Sequence, residues 1–301
     1  MSREDEKQEN AWLLAGTAIP LAVAAAECGW IGAGLAGLVM LVLLAVNGML
    51  APEHLPGWLR NLQVIAGTVL LGVTARMLTQ VWIPQTESRA VALILLLVAA
   101  HACTGGREKP ARIGAVLLRL IVLGSLLILY YGVAEQKGAA KLEAGTSDLG
   151  KISLLSLIPA VTAEMHPGKK GKGILLMLLM VILTGCLTGK TSLYSWVSGL
   201  TWNGKPLRME VLLSVLVVTG WYASFTLQLA AIGEKLKKAG NAGIRQYGLY
   251  PAVLGAAAMI FWRAPEEGYL TAALILLYTV FPGMKKALEI KRRKREKRVD
   301  K

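Results

Sequence analysis

The feature that most limits this chain is a succession of apolar runs, each close to the length that crosses a bilayer. A transmembrane helix needs about 20 mainly apolar residues. With 54% hydrophobic and only 17% charged residues, the chain lacks the surface of a soluble protein. We predict an all-α polytopic membrane protein of about ten transmembrane helices, at residues 10–28, 30–50, 60–82, 89–105, 112–134, 150–166, 173–190, 209–232, 247–263 and 268–284.

The basic residues predict how these helices are oriented. Most Lys and Arg fall in alternate connections and near the C-terminus, as in cytoplasmic segments. Both termini are then cytoplasmic, with a head at 1–9, a transmembrane domain at 10–284 and a basic tail at 285–301. The net charge of +14 does not indicate nucleic acid, because ten of the 33 Lys and Arg residues lie in this tail. The tail suits anionic membrane lipid or, alternatively, an acidic partner.

The sequence carries no pattern typical of an enzyme, a cofactor or a metal site. Its three cysteines and three histidines stand apart, without metal-ligand spacing or a disulfide framework. No Ser/His/Asp grouping, HExxH motif or phosphate-binding glycine loop occurs in it. We therefore predict no enzymatic activity, no cofactor or metal, and no nucleic-acid partner.

Proline residues interrupt the first and the sixth apolar run. Pro20 follows Ala15–Ile19, and Pro159 follows Ser156–Ile158. A proline removes a backbone donor and clashes with the carbonyl four residues earlier. Breaks at corresponding positions of two halves indicate a transporter's binding site at the bilayer midplane. Two five-helix inverted repeats would place such breaks in helices one and six of ten; ordinary proline kinks are the alternative.

Five ionisable residues lie within apolar stretches: Glu27, Arg76, Arg119, Glu164 and Glu210. Charge inside a bilayer is costly, so such side chains face a bundle interior or a partner. We expect Arg76 to pair with Glu27 or Glu210. Glu164 is either a proton-titrating or helix-positioning carboxylate, or an interfacial partner of the lysines that follow it.

Several segments, taken in order, resemble the spore germination permeases, which are the B subunits of bacterial nutrient germinant receptors in the amino acid–polyamine–organocation transporter superfamily. The run GTAIPLAVAAAECGWIGAGLAGLVMLVLL is similar to the family's broken first helix and glycine-bearing second helix. Similar segments for helices three, five, six and eight are TARMLTQVWIPQTESRAV, GGREKPARIGAVLLRLIVLGSLLILYYGV, AEMHPGKKGKG and PLRMEVLLSVLVVTGWYASFTLQLAA.

The resemblance implies a LeuT-type fold of 5+5 inverted repeats with broken helices one and six. It implies a small amino-acid-like ligand at the midplane, held by half-helix N-termini that face its carboxylate. It places the protein in the bacterial inner (spore) membrane, with an A-type membrane subunit and a C-type lipoprotein as partners. The residues that it assigns to the ligand are Gly16, Thr17, Ala18, Pro159, Thr162, Trp221 and Ser224.

The resemblance leaves two alternatives open. One is an ion-coupled amino acid transporter of the same fold, which would use a group such as Glu164 for coupling. The other is a membrane scaffold subunit that keeps the fold but has lost its ligand site, since likeness of fold does not establish function.

Overall fold

The computed structural model describes residues 3–50, 55–81, 88–135, 153–155, 157–162, 184, 193–202, 205–238, 249–261 and 267–299. This part of the chain is predominantly helical. Its helices are α1 (Arg3–Leu50), α2 (Gly57–Val81), α3 (Ser88–Cys103), α4 (Glu108–Glu135), α5 (Ile158–Val161), α6 (Leu193–Ser198), α7 (Met209–Lys238), α8 (Leu249–Phe261), α9 (Glu267–Ile275) and α10 (Phe281–Val299). A π-helical turn, Leu276–Val280, joins α9 to α10.

A two-stranded hairpin precedes α7. Its strands are β1 (Thr201–Trp202) and β2 (Lys205–Pro206), which pair antiparallel. Trp202 makes an edge-to-face contact with Tyr131 near the end of α4, with ring centroids 5.2 Å apart. The hairpin therefore lies at the end of the bundle where α4 ends and α7 begins.

Four helical segments in the described part of the chain are long and apolar enough to cross a membrane: Glu4–Ala26, Gly57–Leu78, Glu108–Ala134 and Met209–Lys238. Arg89–Cys103 and Pro251–Ile260 are shorter apolar helices. The chain is thus an all-α membrane protein, as the apolar runs predict. Of the ten predicted runs, about half of 150–166 and all of 173–190 except Thr184 lie outside the described residues.

Helix α7 lies at the centre of the bundle and packs against α1, α2, α3 and α4. Glycines on α4 allow close approach of its neighbours. A Cβ atom on Gly114 would lie 2.5 Å from Trp12 of α1, and one on Gly124 would lie 2.7 Å from Leu216 of α7. The other face of α4 is apolar and exposed, with Leu123 76% accessible, as expected of a helix in contact with lipid.

The predicted break in helix one is wrong. The backbone of α1 is α-helical from Arg3 to Leu50, with Pro20 inside it, and no turn separates the predicted runs 10–28 and 30–50. The physical reason is that an opened backbone in lipid needs new hydrogen-bond partners, whereas a proline in an otherwise intact helix frees only one carbonyl. Pro20 is buried among the neighbouring helices.

The last predicted run also differs from its expected form. Residues 268–284 include α9, the π-helical turn and the start of α10, and the basic segment that follows is helical as far as Val299. The backbone irregularity that the sequence places in helix one is therefore found in this last run.

Side-chain contacts connect the ends of different helices. Arg107, between α3 and α4, pairs with Glu9 at the start of α1 at 3.3 Å. Arg60, at the start of α2, donates to the carbonyl of Lys238 at the end of α7. These pairs join segments that the basic-residue pattern assigns to one and the same side of the membrane.

Candidate functional site

Polar side chains are buried inside the apolar bundle, mainly on α2 and α7. In a bilayer interior no water pairs with such groups, so each needs a protein partner or a ligand. Polar and ionisable residues in this setting mark functional positions by default. The buried polar residues of these two helices are Gln63, Thr68, Thr74, Ser224, Thr226, Gln228 and Lys235.

Four of the α7 residues that face α2 follow a helical spacing. Trp221, Ser224, Gln228 and Lys235 recur at intervals of three, four and seven residues, which places them on one face of the helix. Three of these side chains, those of Trp221, Gln228 and Lys235, bond to two residues of α2 in antiparallel order, and Ser224 bonds to Gln228. We call these six residues the polar seam; the two contributed by α2 are Gln63 and Thr74.

Gln228 lies at the middle of the polar seam. Its Nε2 donates to Ser224 Oγ at 3.2 Å and approaches Thr74 Oγ1 at 3.5 Å. Thr74 Oγ1 in turn donates to the carbonyl of Leu70, at 2.8 Å. Gln228 Oε1 is buried and has no hydrogen-bond partner among the described residues. A buried acceptor without a donor is rare in folded proteins and calls for a physical explanation, such as a bound group.

Two further interactions flank Gln228 along the seam. On one side, Trp221 Nε1 donates to the carbonyl of Thr74 at 3.1 Å. On the other side, Lys235 Nζ donates to Gln63 Oε1 at 3.3 Å and lies 4.2 Å from the ring centroid of Tyr278. Lys235 is only 2% exposed, so its amino group is held inside the bundle.

The predicted ligand residues of helix one lie beside α7, but they take part in helix packing there. A Cβ atom on Gly16 would lie 3.0 Å from the carbonyl oxygen of Ala223. Thr17 is fully buried, and its hydroxyl donates to the carbonyl of Leu13 in its own helix, at 2.8 Å. Ala18 is half-buried and packs against the core. These residues bring α1 against α7 without opening the α1 backbone.

The predicted residues of helix six are described in part. Thr162 is fully buried and donates from Oγ1 to the carbonyl of Ile158 at 2.9 Å. Pro159 lies in the single helical turn α5, and its side chain is outside the described residues. Helix α5 contacts both α1 and α7. The structure therefore brings the three predicted ligand-binding segments together, although Trp221 and Ser224 belong to the polar seam and the rest do not.

The predicted buried charges do not form one cluster in the described residues. Glu210, at the start of α7, pairs with the exposed Arg208 at 3.9 Å. Arg76 is half-buried on α2. Glu27 lies in the helical backbone of α1 with its side chain outside the described residues, and Glu164 lies wholly outside them. The predicted pairing of Arg76 stays a prediction.

Reasoning from the sequence missed Gln63, Thr74, Gln228 and Lys235. One signal was present: on α7, Gln228 and Lys235 continue the spacing set by Trp221 and Ser224 through an apolar segment. The α2 partners had no such signal. Gln63 lies near the start of its predicted run, and Thr74 looks like an ordinary helix threonine.

Comparisons with protein-family models and with curated proteins found no match to this chain. The likeness to germination permeases thus depends on the sequence segments quoted above. The polar seam is an independent observation, because it comes from the contacts between α2 and α7.

Proposed function

We propose that the chain is a permease-like integral membrane subunit of a spore germinant receptor that senses or transports a small amino-acid-like ligand. The observation that carries the proposal is the buried, unpartnered Oε1 of Gln228. An amide oxygen accepts hydrogen bonds from an ammonium group, which every amino acid carries. The hydroxyls of Ser224 and Thr74 contact the Nε2 atom of the same carboxamide and hold it in place.

The proposed ligand position differs from the one that the sequence predicts. Because α1 is continuous, it presents no half-helix N-terminus to a carboxylate. The ligand would bind instead on the α2 side of α7, at the polar seam. Two residues assigned by the resemblance, Trp221 and Ser224, lie in that seam, so the new position keeps the part of the prediction that concerns helix eight.

The packing of α2, α3, α7 and α8 supports a LeuT-type arrangement. In the predicted ten-helix order these are helices three, four, eight and nine, so inverted repeats would relate three to eight and four to nine. If such repeats are present, a contact between helices three and nine must have a counterpart between helices eight and four. Both occur: α2 packs against α8, and α3 against α7.

Side-chain contacts show how closely these pairs approach. A Cβ atom on Gly72 of α2 would lie 2.5 Å from Ala258 of α8. Cys103 Sγ of α3 donates to the carbonyl of Thr226 on α7, at 3.4 Å. The proposal includes 5+5 repeats of ten apolar segments, of which the first two are continuous in α1, and a place in the bacterial inner (spore) membrane. Its partners are membrane lipid, an A-type membrane subunit and a C-type lipoprotein.

A binding measurement tests the ligand site. Full-length protein in lipid nanodiscs is titrated with a panel of L-amino acids by calorimetry, and Gln228→Leu is compared with the native chain. Loss of a hydrogen bond to a charged group weakens binding by roughly 10- to 150-fold. The matched control is Thr219→Val on the same helix, where the hydroxyl bonds to the Val215 carbonyl of its own turn at 2.9 Å.

The outcomes separate the proposals. Binding that Gln228→Leu weakens and Thr219→Val leaves unchanged supports the seam as the ligand site. Binding that is equally tight in all three proteins moves the ligand elsewhere. Uptake by proteoliposomes that collapses without an ion gradient identifies the ion-coupled transporter.

A specific observation favours the ligand-less scaffold as the second candidate. A Cβ atom on Gly220 would lie 2.4 Å from Cβ of Ile19, so α1 and α7 touch directly near the place where the sequence predicts a ligand. For a scaffold, no amino acid would bind, and purified protein would gain thermal stability from its partner subunits alone.

A further inference from the structure

The last apolar run changes its helical register next to a proline. In the π-helical turn Leu276–Val280, the N–H of Phe281 donates to the carbonyl of Leu276, five residues earlier. The next nitrogen belongs to Pro282, which has no N–H to donate. In the π register the acceptor that loses its donor is the carbonyl of Leu277.

A side chain of α2 supplies the missing donor. Gln63 Nε2 donates to the Leu277 carbonyl oxygen at 2.9 Å. The hydroxyl of Tyr278, in the same turn, donates to the backbone carbonyl of Gln63 at 2.5 Å. Gln63 is 1% exposed, so no water competes for these bonds. The π-helical turn is therefore tied to α2 by one bond in each direction.

Lys235 of α7 determines how the Gln63 carboxamide is turned. An ammonium group has donors and no acceptor, so the amide oxygen must face it. The 3.3 Å bond from Lys235 Nζ to Gln63 Oε1 then leaves the amide NH₂ pointing to the carbonyl of Leu277. Lys235 thus acts on the π-helical turn through Gln63, in addition to the direct approach of its Nζ to the ring of Tyr278, 4.2 Å from the centroid.

We propose that Leu276–Val280 is a hinge for α10, and that Lys235 locks this hinge through Gln63. If α7 slides along α2, the ammonium leaves the amide oxygen, the amide turns over, and the Leu277 carbonyl loses its donor. Helix α10 then pivots at the π-helical turn. Its exposed cationic residues Lys291, Arg292 and Arg293 move with it, so a shift inside the bundle is transmitted to a basic surface.

A suppressor experiment tests the link between Gln63 and Pro282. Gln63→Glu keeps an acceptor for Lys235, but a carboxylate ionised beside that ammonium has no hydrogen for Leu277. We expect the thermal midpoint of the full chain in nanodiscs to fall by roughly 3–8 °C. Pro282→Ala restores a backbone N–H, so the double variant should regain most of the loss. If the changes in thermal midpoint caused by Gln63→Glu and by Pro282→Ala are additive in the double variant, the proposal is overturned.

A distance measurement tests whether Lys235 is a lock. Spin labels are placed on exposed positions of α2 and α10, Asn61 and Arg293, with the native cysteines replaced. Pulsed electron paramagnetic resonance should give a narrow distance distribution for the native hinge and a shifted, broader one for Lys235→Met. Lys235→Arg, also donor-only, should keep the narrow distribution. Pro282→Ala should restore it in Lys235→Met, because the hinge no longer needs Gln63.

Thr68→Val on α2 is the matched control, since the Thr68 hydroxyl bonds to the Val64 carbonyl of its own helix at 2.8 Å. It should leave the distance distribution unchanged. A distribution that is unaltered in Lys235→Met, even with a lower thermal midpoint, would show that Lys235 stabilises the bundle without locking the hinge. None of these measurements involves the amino-acid ligand, so their outcome does not depend on whether the proposed function is correct.

Discussion

Pro20 in α1 and Pro282 at the start of α10 are both buried prolines within predicted apolar runs, yet the two backbones differ around them. The α1 backbone keeps its α-helical form through Pro20. The backbone before Pro282 widens into a π-helical turn. Each proline frees a carbonyl, so the proline alone does not decide which response occurs.

The neighbours of each proline explain the difference. Next to Pro20, the residues Gly16 and Ile19 press against α7, at Ala223 and Gly220, so α1 has no space to widen. Next to Pro282, Gln63 offers an amide N–H to the freed carbonyl. A membrane helix therefore departs from α-helical form where a neighbouring helix supplies a donor, and keeps it where a neighbour is packed against it.

The largest expected effect comes from the packing that confines α1. Gly220→Ala places a Cβ atom 2.4 Å from Cβ of Ile19, so one helix must move. We expect a loss of about 1–3 kcal/mol of stability, measured by unfolding in detergent micelles. Gly34→Ala in α1 is the control: a Cβ atom there meets nothing within 4 Å. It should be neutral or stabilise by up to about 1 kcal/mol. A Gly220→Ala protein as stable as the native one would refute this account of α1.

A smaller effect is expected from the polar link between α1 and α7. Trp12 Nε1 donates to Thr226 Oγ1 at 3.0 Å, two turns before Pro20. Thr226→Val keeps the shape and removes the acceptor of the indole N–H, at a cost of about 1–2 kcal/mol. Thr219→Val should stay within about 0.5 kcal/mol of the native protein. Equal losses of stability for the two variants would mean that the hydrogen bond between Trp12 and Thr226 does not help to hold α1 against α7.

The smallest effect is expected from Pro20 itself. Pro20→Ala supplies an N–H for the carbonyl of Gly16, and the backbone is already α-helical there, so stability should rise by about 1 kcal/mol. A spin-label pair on exposed positions of α1 and α4, Lys7 and Arg112, should report no change in distance. A clear change in distance would show that Pro20 does set the shape of α1, and the contrast with Pro282 would be lost.

The sequence by itself determined that this is an all-α membrane protein. Long apolar runs exclude water-exposed folds, and their bounds match those of α2, α3, α4, α7 and α8 to within four residues, except that α7 extends six residues further. Its resemblance to the germination permeases also singled out Trp221 and Ser224, which lie in the polar seam. These conclusions depend on local composition and spacing, which a single chain segment contains.

Only the tertiary structure decided which proline alters its helix and which polar residues meet. Gln63 and Lys235 are 172 residues apart in the chain, and Gln63 and Leu277 are 214 apart. A hydrogen bond forms only where folding brings a donor within about 3 Å of an acceptor. A helix that looks broken in the sequence can therefore stay intact, while one that looks regular is opened by a side chain from the other half of the protein.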